Sequence, residues 1–292
     1  MFVSTTFLAD ETGIGDALAI CAEHGLGAIE LGSNHCYEPD PATVVERHPL
    51  RYLVHNYFPA PADPFVVNIA SLDDDIYQRS LAHIGRSLEF CRRIGALLYT
   101  IHPGFLSDPS GPGRGTGNYD FLFPEGPVDA DVYERAYGRM LDALTWAVDR
   151  AAACRVRLAL ETEGSMSRRD HLLLQRPHEY ERLMKRFSPA DLGINLNVGH
   201  LNLASAAFGF GADTFVDLIA DYVVAIELSH NDGTADDHRP LQARAWYWRV
   251  ITDTRFAQTY KILEFRNTAV GQVVSCADMV ARSLSDRTFA TE

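Results

Sequence analysis

An alternation of eight short apolar runs with eight helical patterns predicts a closed (β/α)8 barrel. Two further observations agree with it. The length of 292 residues lies in the range of such barrels. No GxGxxG follows the first run, as a dinucleotide-binding open sheet would require. Apolar residues make up 47% of the chain, ample for a buried core. No linker interrupts the pattern, so residues 1–292 read as one domain.

Phe2–Leu8 reads as the first strand. Gly13–His24 follows as a helix, with apolar spacing at Ile14, Ala17, Leu18 and Cys21 and with Gly25 as its C-terminal stop. Ala28–Leu31 is the second strand, Pro41–Arg47 a short helix and Arg51–His55 the third strand. A long helix spans Asp74–Ile94, opened by the acidic run Asp73-Asp74-Asp75 and stopped by Gly95. Leu97–His102 is the fourth strand. Pro103–Pro127 then breaks the rhythm. It is rich in Gly and Pro, carries Phe105, Tyr119, Phe121 and Phe123, and is too long for an ordinary connection. An extended loop directly after a strand end is expected to act as a lid. Asp129–Ala153 is helical, Val156–Glu161 is the fifth strand, and Pro177–Phe187 is a helix with Pro in its first turn. Leu192–Asn197 is the sixth strand, followed by a loop and a helix near Asp213–Asp221. The apolar run from Val223 to Ile226 is the seventh strand, too short for a helix. Ala243–Thr252 reads as helical, Tyr260–Glu264 as the eighth strand and Gly271–Leu284 as the closing helix.

A formal charge of −13 and a pI near 5.2 argue against affinity built on phosphate neutralisation, so nucleic acid is not an expected partner. No apolar run approaches the roughly 18 residues of a membrane span. The start, MFVSTTFLADETG, lacks the basic region of a signal peptide, so a cytoplasmic location is expected. Cys21, Cys36, Cys91, Cys154 and Cys276 are widely spaced and form no CxxC, which fits free thiols in a reducing compartment. The oligomeric state is left open between monomer and homo-oligomer.

The last residue of strands three to eight, or one just beyond it, is His55, His102, Glu161, Asn197, His230 and Glu264. In a barrel these positions meet at one mouth. All but Asn197 are strong ligands for a divalent ion, and an Asn amide oxygen can also coordinate. His200, three residues past Asn197, and the Asp236/His238 pair add to the set. Imidazoles with carboxylates suit Zn, Mn or Co better than Ca.

The ordered motifs His55-Asn-Tyr, Ile101-His102-Pro-Gly, Leu160-Glu161-Thr-Glu-Gly, Asn197-Val-Gly-His200, Ser229-His230-Asn-Asp, Asp236-Asp237-His238 and Leu263-Glu264 resemble the xylose isomerase-like barrel superfamily. That superfamily includes sugar isomerases and epimerases and the endonuclease IV-type AP endonucleases. The resemblance implies a divalent ion at Glu161, Asn197, His230 and Glu264. In the endonuclease-like branch it implies two more, at His55, His102 and Glu161 and at His200, Asp236 and His238, Asp236 being preferred to Asp237 for its D-x-H spacing. Three departures stand out. Asn197 replaces the usual Asp of D-x-G-H, the loop after His238 lacks the usual Gly-x-Gly, and Pro103–Pro127 is inserted at the mouth.

The leading expectation is therefore a metal-dependent isomerase or epimerase of a sugar-like hydroxy-ketone. One divalent ion, up to three, would stabilise an enediolate. Glu161 and Glu264 would serve as ligands and as the acid/base pair, with His200 catalytic and Arg266, His55 and His102 binding substrate. The alternatives are a multi-zinc phosphoester hydrolase and a barrel that has lost catalysis and serves as a binding subunit. Glu30 ends the second strand and reads either as facing the mouth to fix a ligand histidine or as a structural hydrogen-bonding group, and Glu163 as an acid behind the pocket or on the surface. Lys261 reads as a rim residue and Trp246-Tyr247-Trp248 as packing. His24, His35, His48, His83, His171 and His178 are expected on the surface.

Overall fold

The computed structural model describes residues 1–10, 12–109, 121–126, 128–164 and 169–288. Its strands are β1 (Phe2–Ser4), β2 (Ala28–Leu31), β3 (Arg51–His55), β4 (Leu98–Ile101), β5 (Arg157–Glu161), β6 (Gly193–Asn197), β7 (Val223–Leu228) and β8 (Tyr260–Leu263). Each pairs in parallel with the next, and β8 pairs with β1, so the sheet closes on itself. Closure leaves no edge strand unpaired. The helices are α1 (Ile14–Glu23), α2 (Pro41–Glu46), α3 (Asp74–Ile94), α4 (Ala130–Cys154), α5 (Pro177–Met184), α6 (Val198–Phe208), α7 (Ala212–Ile219), α8 (Trp248–Ile251) and α9 (Val270–Thr288). The chain is a (β/α)8 barrel, as its sequence predicts, and among the described residues no helix is long and apolar enough to cross a membrane.

Side chains alternate along every strand. Val3, Ile29, Val54, Tyr99, Leu158, Leu160, Ile226 and Leu263 point outward and share one core with Leu18, Leu88, Leu144 and other helix residues. The intervening residues fill the barrel. At its lower end Phe2, Leu53, Leu98, Ala159, Ala225 and Ile262 form a separate apolar cluster with Ala28 packed against it. Two residues further up, the same strands present Ser4, Glu30, His55, Thr100, Glu161, Glu227 and Glu264, every one of them buried.

Several local expectations are corrected. The first strand stops at Ser4 because Thr5–Phe7 turn into a 3-10 helix. The expected loop after β6 is helix α6. Asn197 starts it directly at the strand end, its side chain accepting from Gly199 N at 2.9 Å and His200 N at 3.1 Å. Only Trp248–Ile251 of the expected 243–252 helix is α-helical. His35, His83 and His171 are buried, not on the surface, because each ring meets a partner from elsewhere in the fold. Their partners are Thr5 Oγ1 at 2.7 Å, the Asn56 carbonyl at 3.0 Å and Ser107 Oγ at 2.6 Å. Lys261 is likewise buried away from the rim, its ammonium donating to Phe256 O, Thr259 O and Thr259 Oγ1. All five cysteines are free; Cys36 is exposed and the others are buried. Tyr247 is buried with Trp246 and Trp248 packed beside it. In the loop after β4, Phe105, Phe121 and Phe123 cluster with Leu172, and Phe123 stacks on His171 with ring centroids 4.5 Å apart. The rest of the expected lid, with Tyr119, lies outside the described residues.

Candidate metal centre

Three elements meet first. His55 closes β3, His102 follows β4, and Glu161 closes β5. The two Nε2 atoms are 3.1 Å apart, and each is 3.3 Å from Glu161 Oε2. A tetrahedral ion with ligands at about 2.0–2.1 Å would space its donors by roughly 3.3 Å. The spacing of all three atoms fits. Glu161 Oε2 is buried and accepts no hydrogen bond, leaving a carboxylate oxygen aimed between two imidazoles.

The outer nitrogens of both rings are held. His55 Nδ1 lies 3.2 Å from Glu227 Oε1 and 3.7 Å from Glu30 Oε1, and His102 Nδ1 lies 2.5 Å from Glu163 Oε1. A proton on each Nδ1, donated to a carboxylate, leaves the Nε2 lone pairs facing Glu161, which is how ligand histidines are oriented in metal sites.

His200, on the first turn of α6, meets Asp236 and His238 from the loop after β7. Asp236 Oδ2 is 2.8 Å from His238 Nε2 and 3.5 Å from His200 Nε2. His200 Nε2 is buried with no hydrogen bond. Here too the outer nitrogens are occupied. His200 Nδ1 lies 2.8 Å from Thr162 O, and His238 Nδ1 lies 3.2 Å from Glu264 O and 3.1 Å from Glu264 Oε2. Close packing holds α6 in place. A Cβ on Gly164 would sit 2.3 Å from the His200 carbonyl oxygen, so only glycine lets that helix approach the end of β5. Both His–His–carboxylate groups have donor atoms close enough to share an ion, and their chemistry suits a divalent transition metal.

The electrostatics match. Burial opposes ionisation of Glu161 and Asp236, yet the surrounding imidazoles hold both carboxyls far below the usual carboxylate range. Reciprocally, burial acts to lower the pKa of His55 and His200, but neighbouring carboxylates raise both well above the ordinary histidine value. His238 is raised in the same way, to about 10, by Asp236 and Glu264. Burial pushes Glu227 and Glu30 up. Negative charge converges here, and in the metal-free protein protons on imidazole answer it.

Between the groups stands Asn197. Its Nδ2 is 3.0 Å from Glu161 Oε1, 3.0 Å from Glu227 Oε2 and 3.4 Å from Glu264 Oε2. His55, His102, Glu161, His200, Asp236, His238, Asn197 and Glu264 are thus brought together. His230 is not. It lies two residues past β7, its backbone paired with Arg239 and its ring 6.0 Å from that of Tyr247. β7 runs on to Leu228, and Glu227 takes the inward position. The signal was present in the sequence, since Glu227 keeps the period-2 phase of Ala225 inside an apolar run. Asn195, also missed, donates to Glu227 Oε1 at 2.7 Å. Glu30 and Glu163 stand behind His55 and His102. The Arg266 backbone donates to His238 O at 3.2 Å, which puts that residue beside the second group.

Solved structures share this architecture. A D-tagatose 3-epimerase-like protein superposes with a TM-score of 0.76 at 16% identity, covering 100% of this chain and 99% of its own. Endonuclease IV from Thermus thermophilus gives 0.60 at 17% identity, with 98% of each chain covered. Another Thermus thermophilus protein, its crystal soaked with ZnCl2, gives 0.64 at 17% identity over 97% of each chain. No curated protein matches at the level of sequence. A family model described as xylose isomerase-like TIM barrel matches residues 18–270, and the chain belongs to that family.

Proposed function

We propose that the chain is a divalent-metal-dependent hydrolase of small phosphoesters, working with one ion in each His–His–carboxylate group. The observation that carries this reading is the presence of two such groups side by side, each with its Nε2 atoms turned inward and its Nδ1 atoms held from outside. The isomerase expected from sequence would instead hold one ion at Glu161, Asn197, His230 and Glu264. That set lacks His230 and turns an amide N–H toward its carboxylates.

When bound, the ions would supply Lewis acidity and an activated water. His55, His102 and Glu161 would hold one, His200, Asp236 and His238 the other. Each group offers three donor atoms, which leaves an ion coordination positions for a water and a phosphate oxygen. Glu161 spans both groups, with Oε2 toward His55 and His102 and Oε1 3.1 Å from His200 Nδ1. Glu264, buried beside His238, would act as the general base. Arg266 orients the anionic substrate from beyond β8. With a net charge of −13, a small substrate is favoured over nucleic acid.

Turnover of aryl phosphomonoesters and diesters by protein loaded with Zn or Mn tests this. Activity should vanish with a chelator, return with metal, and fall at least about 100-fold in Glu161→Gln, since even outer partners of ligands cost about 10–100-fold. The second reading, an epimerase of a sugar-like hydroxy-ketone, is favoured by Glu161 and Glu264 flanking Asn197 as an acid/base pair. Loaded protein that leaves every phosphoester intact, yet exchanges solvent deuterium into a ketose beside its carbonyl, would replace the first reading with the second.

A further inference from the structure

We propose that the Asn197 amide occupies the barrel axis in place of a cation. The centre then takes two ions, one in each His–His–carboxylate group, and excludes a third between Glu161, Glu227 and Glu264. The proposal rests on the reading above that the two groups hold metal.

Three buried carboxylates converge on the axis from β5, β7 and the end of β8, an arrangement that ordinarily demands positive charge. From outside, His55 Nδ1 lies 3.2 Å from Glu227 Oε1 and His238 Nδ1 3.1 Å from Glu264 Oε2, but what the three share between them is the Asn197 Nδ2 group, at 3.0 Å from Glu161 Oε1, 3.0 Å from Glu227 Oε2 and 3.4 Å from Glu264 Oε2. An amide nitrogen donates protons and offers no lone pair to a metal. The only coordinating atom of the side chain is Oδ1, and it is committed elsewhere. It accepts from Gly199 N and His200 N, the first donors of α6. Turning the amide over would set an oxygen against three carboxylates and N–H groups against N–H groups. The backbone of the helix therefore fixes which end of the amide faces the axis.

The first turn of α6 is itself closely packed, and only glycine fits beside the cap. A Cβ on Gly199 would already lie 2.9 Å from Ser229 Oγ and 3.2 Å from Asn197 Oδ1. Asp at this position has nearly the same shape. One carboxylate oxygen could keep the helix cap while the other faced Glu161, Glu227 and Glu264. A single-atom exchange, NH2 for O, thus decides whether the axis repels or holds a cation.

The test uses the full chain and Zn as the probe. Crystals of the wild-type protein equilibrated with ZnCl2 should give anomalous peaks in both His–His–carboxylate groups and none within about 2.5 Å of Glu227 or Glu264. Native mass spectrometry should count two ions on the wild type and three on Asn197→Asp. Metal-free Asn197→Asp should melt below the wild type, and Zn should raise its Tm by more than it raises the wild type's. A Zn peak bonded to Glu227 or Glu264 beside Asn197 in the wild type, or an Asn197→Asp protein that still counts two, overturns the proposal. Wild-type protein with no ion in either group overturns the functional reading itself, a result separable from an ion at the axis. The anomalous experiment needs only the wild type, so it decides the question even if Asn197→Asp does not fold.

Discussion

At the lower end of the barrel Phe2, Ala28, Leu53, Leu98, Ala159, Ala225 and Ile262 fill the interior; two residues further along the same strands stand Ser4, Glu30, His55, Thr100, Glu161, Glu227 and Glu264. Both layers are sealed from water. The lower layer gains about 25 cal/mol for each Å² of apolar surface removed from water. The upper layer loses several kcal/mol per buried charge before pairing is counted. Stability and chemistry are therefore separated along one axis, with the sheet closed from below and ligands presented above. A divalent ion converts the upper layer's convergent charge into binding energy, because metal binding and local order are coupled.

The largest effect that would break this division lies at the bottom. Leu53, fully buried in the lower cluster, should cost about 2–5 kcal/mol as Leu53→Ala, the range for a leucine removed from a tight core. Denaturant unfolding would read that loss, and the folded variant should bind as many ions as the wild type. A variant that lost metal along with stability would show that the layers are not separable.

The next effect falls on one side of the upper layer. Glu163 accepts from His102 Nδ1 at 2.5 Å, and so orients a ligand of the first group. Glu163→Ala should weaken the first ion by about 10–100-fold and leave the second unchanged. Competition with a chromophoric chelator would resolve two affinities. Equal weakening of both ions would mean that the groups act as one cluster.

Proton linkage follows, at about tenfold in affinity per pH unit for each proton displaced. In the metal-free protein His238 is held protonated up to about pH 10, since Asp236 and Glu264 outweigh the burial that acts to lower its pKa. A metal must expel that proton, so affinity should climb between about pH 6 and pH 9. Calorimetry in buffers of different ionisation enthalpy would show proton release; a flat profile would contradict it. The stability sign is opposite. The folded pKa lies above the unfolded value of about 6.5, so the ion pair's contribution is whole below about pH 6.5 and is lost as pH rises through about 10. Chelated protein should weaken over that window, and metal-loaded protein should not.

How much of this was legible beforehand differs between the layers. Period-2 and period-3.6 apolar patterns mark all eight strands and the long helices α3 and α4, because burial of a repeating face is written directly in residue type. Strand-end histidines and glutamates likewise mark His55, His102, Glu161 and Glu264. Glu227 is hidden in the sequence because the apolar run ends at Ile226, and a charged residue inside a strand resembles a terminator unless its phase is followed. His230, three residues on, has the wrong phase to face inward and turns to Tyr247 instead. Helix α6 was hidden for another reason. Its cap, Asn197, is also the last residue of β6, and no polar linker announces the change. His35, His83 and His171 owe their burial to contacts 23 to 64 residues away, which no local pattern records.

The smallest effect separates cap from site. Asp40, Asp73 and Asp129 each cap a helix with a carboxylate, and at all three the side chain faces solvent. Asn197 does the same work at α6 but stands among buried acids. Asn and Asp are nearly equal as caps, and the helix dipole favours the anion by only about 0.3–1 kcal/mol at a surface. Asp73→Asn should therefore lower stability by less than about 1 kcal/mol, with metal content untouched, whereas the reverse exchange at position 197 changes the number of ions held. Thermal melting and ion counting on the two variants compare the same pair of atoms in two settings. If Asp73→Asn destabilised the protein as much as metal-free Asn197→Asp, the cap itself would be the cause at both sites, and the buried carboxylates around Asn197 would have no separate role.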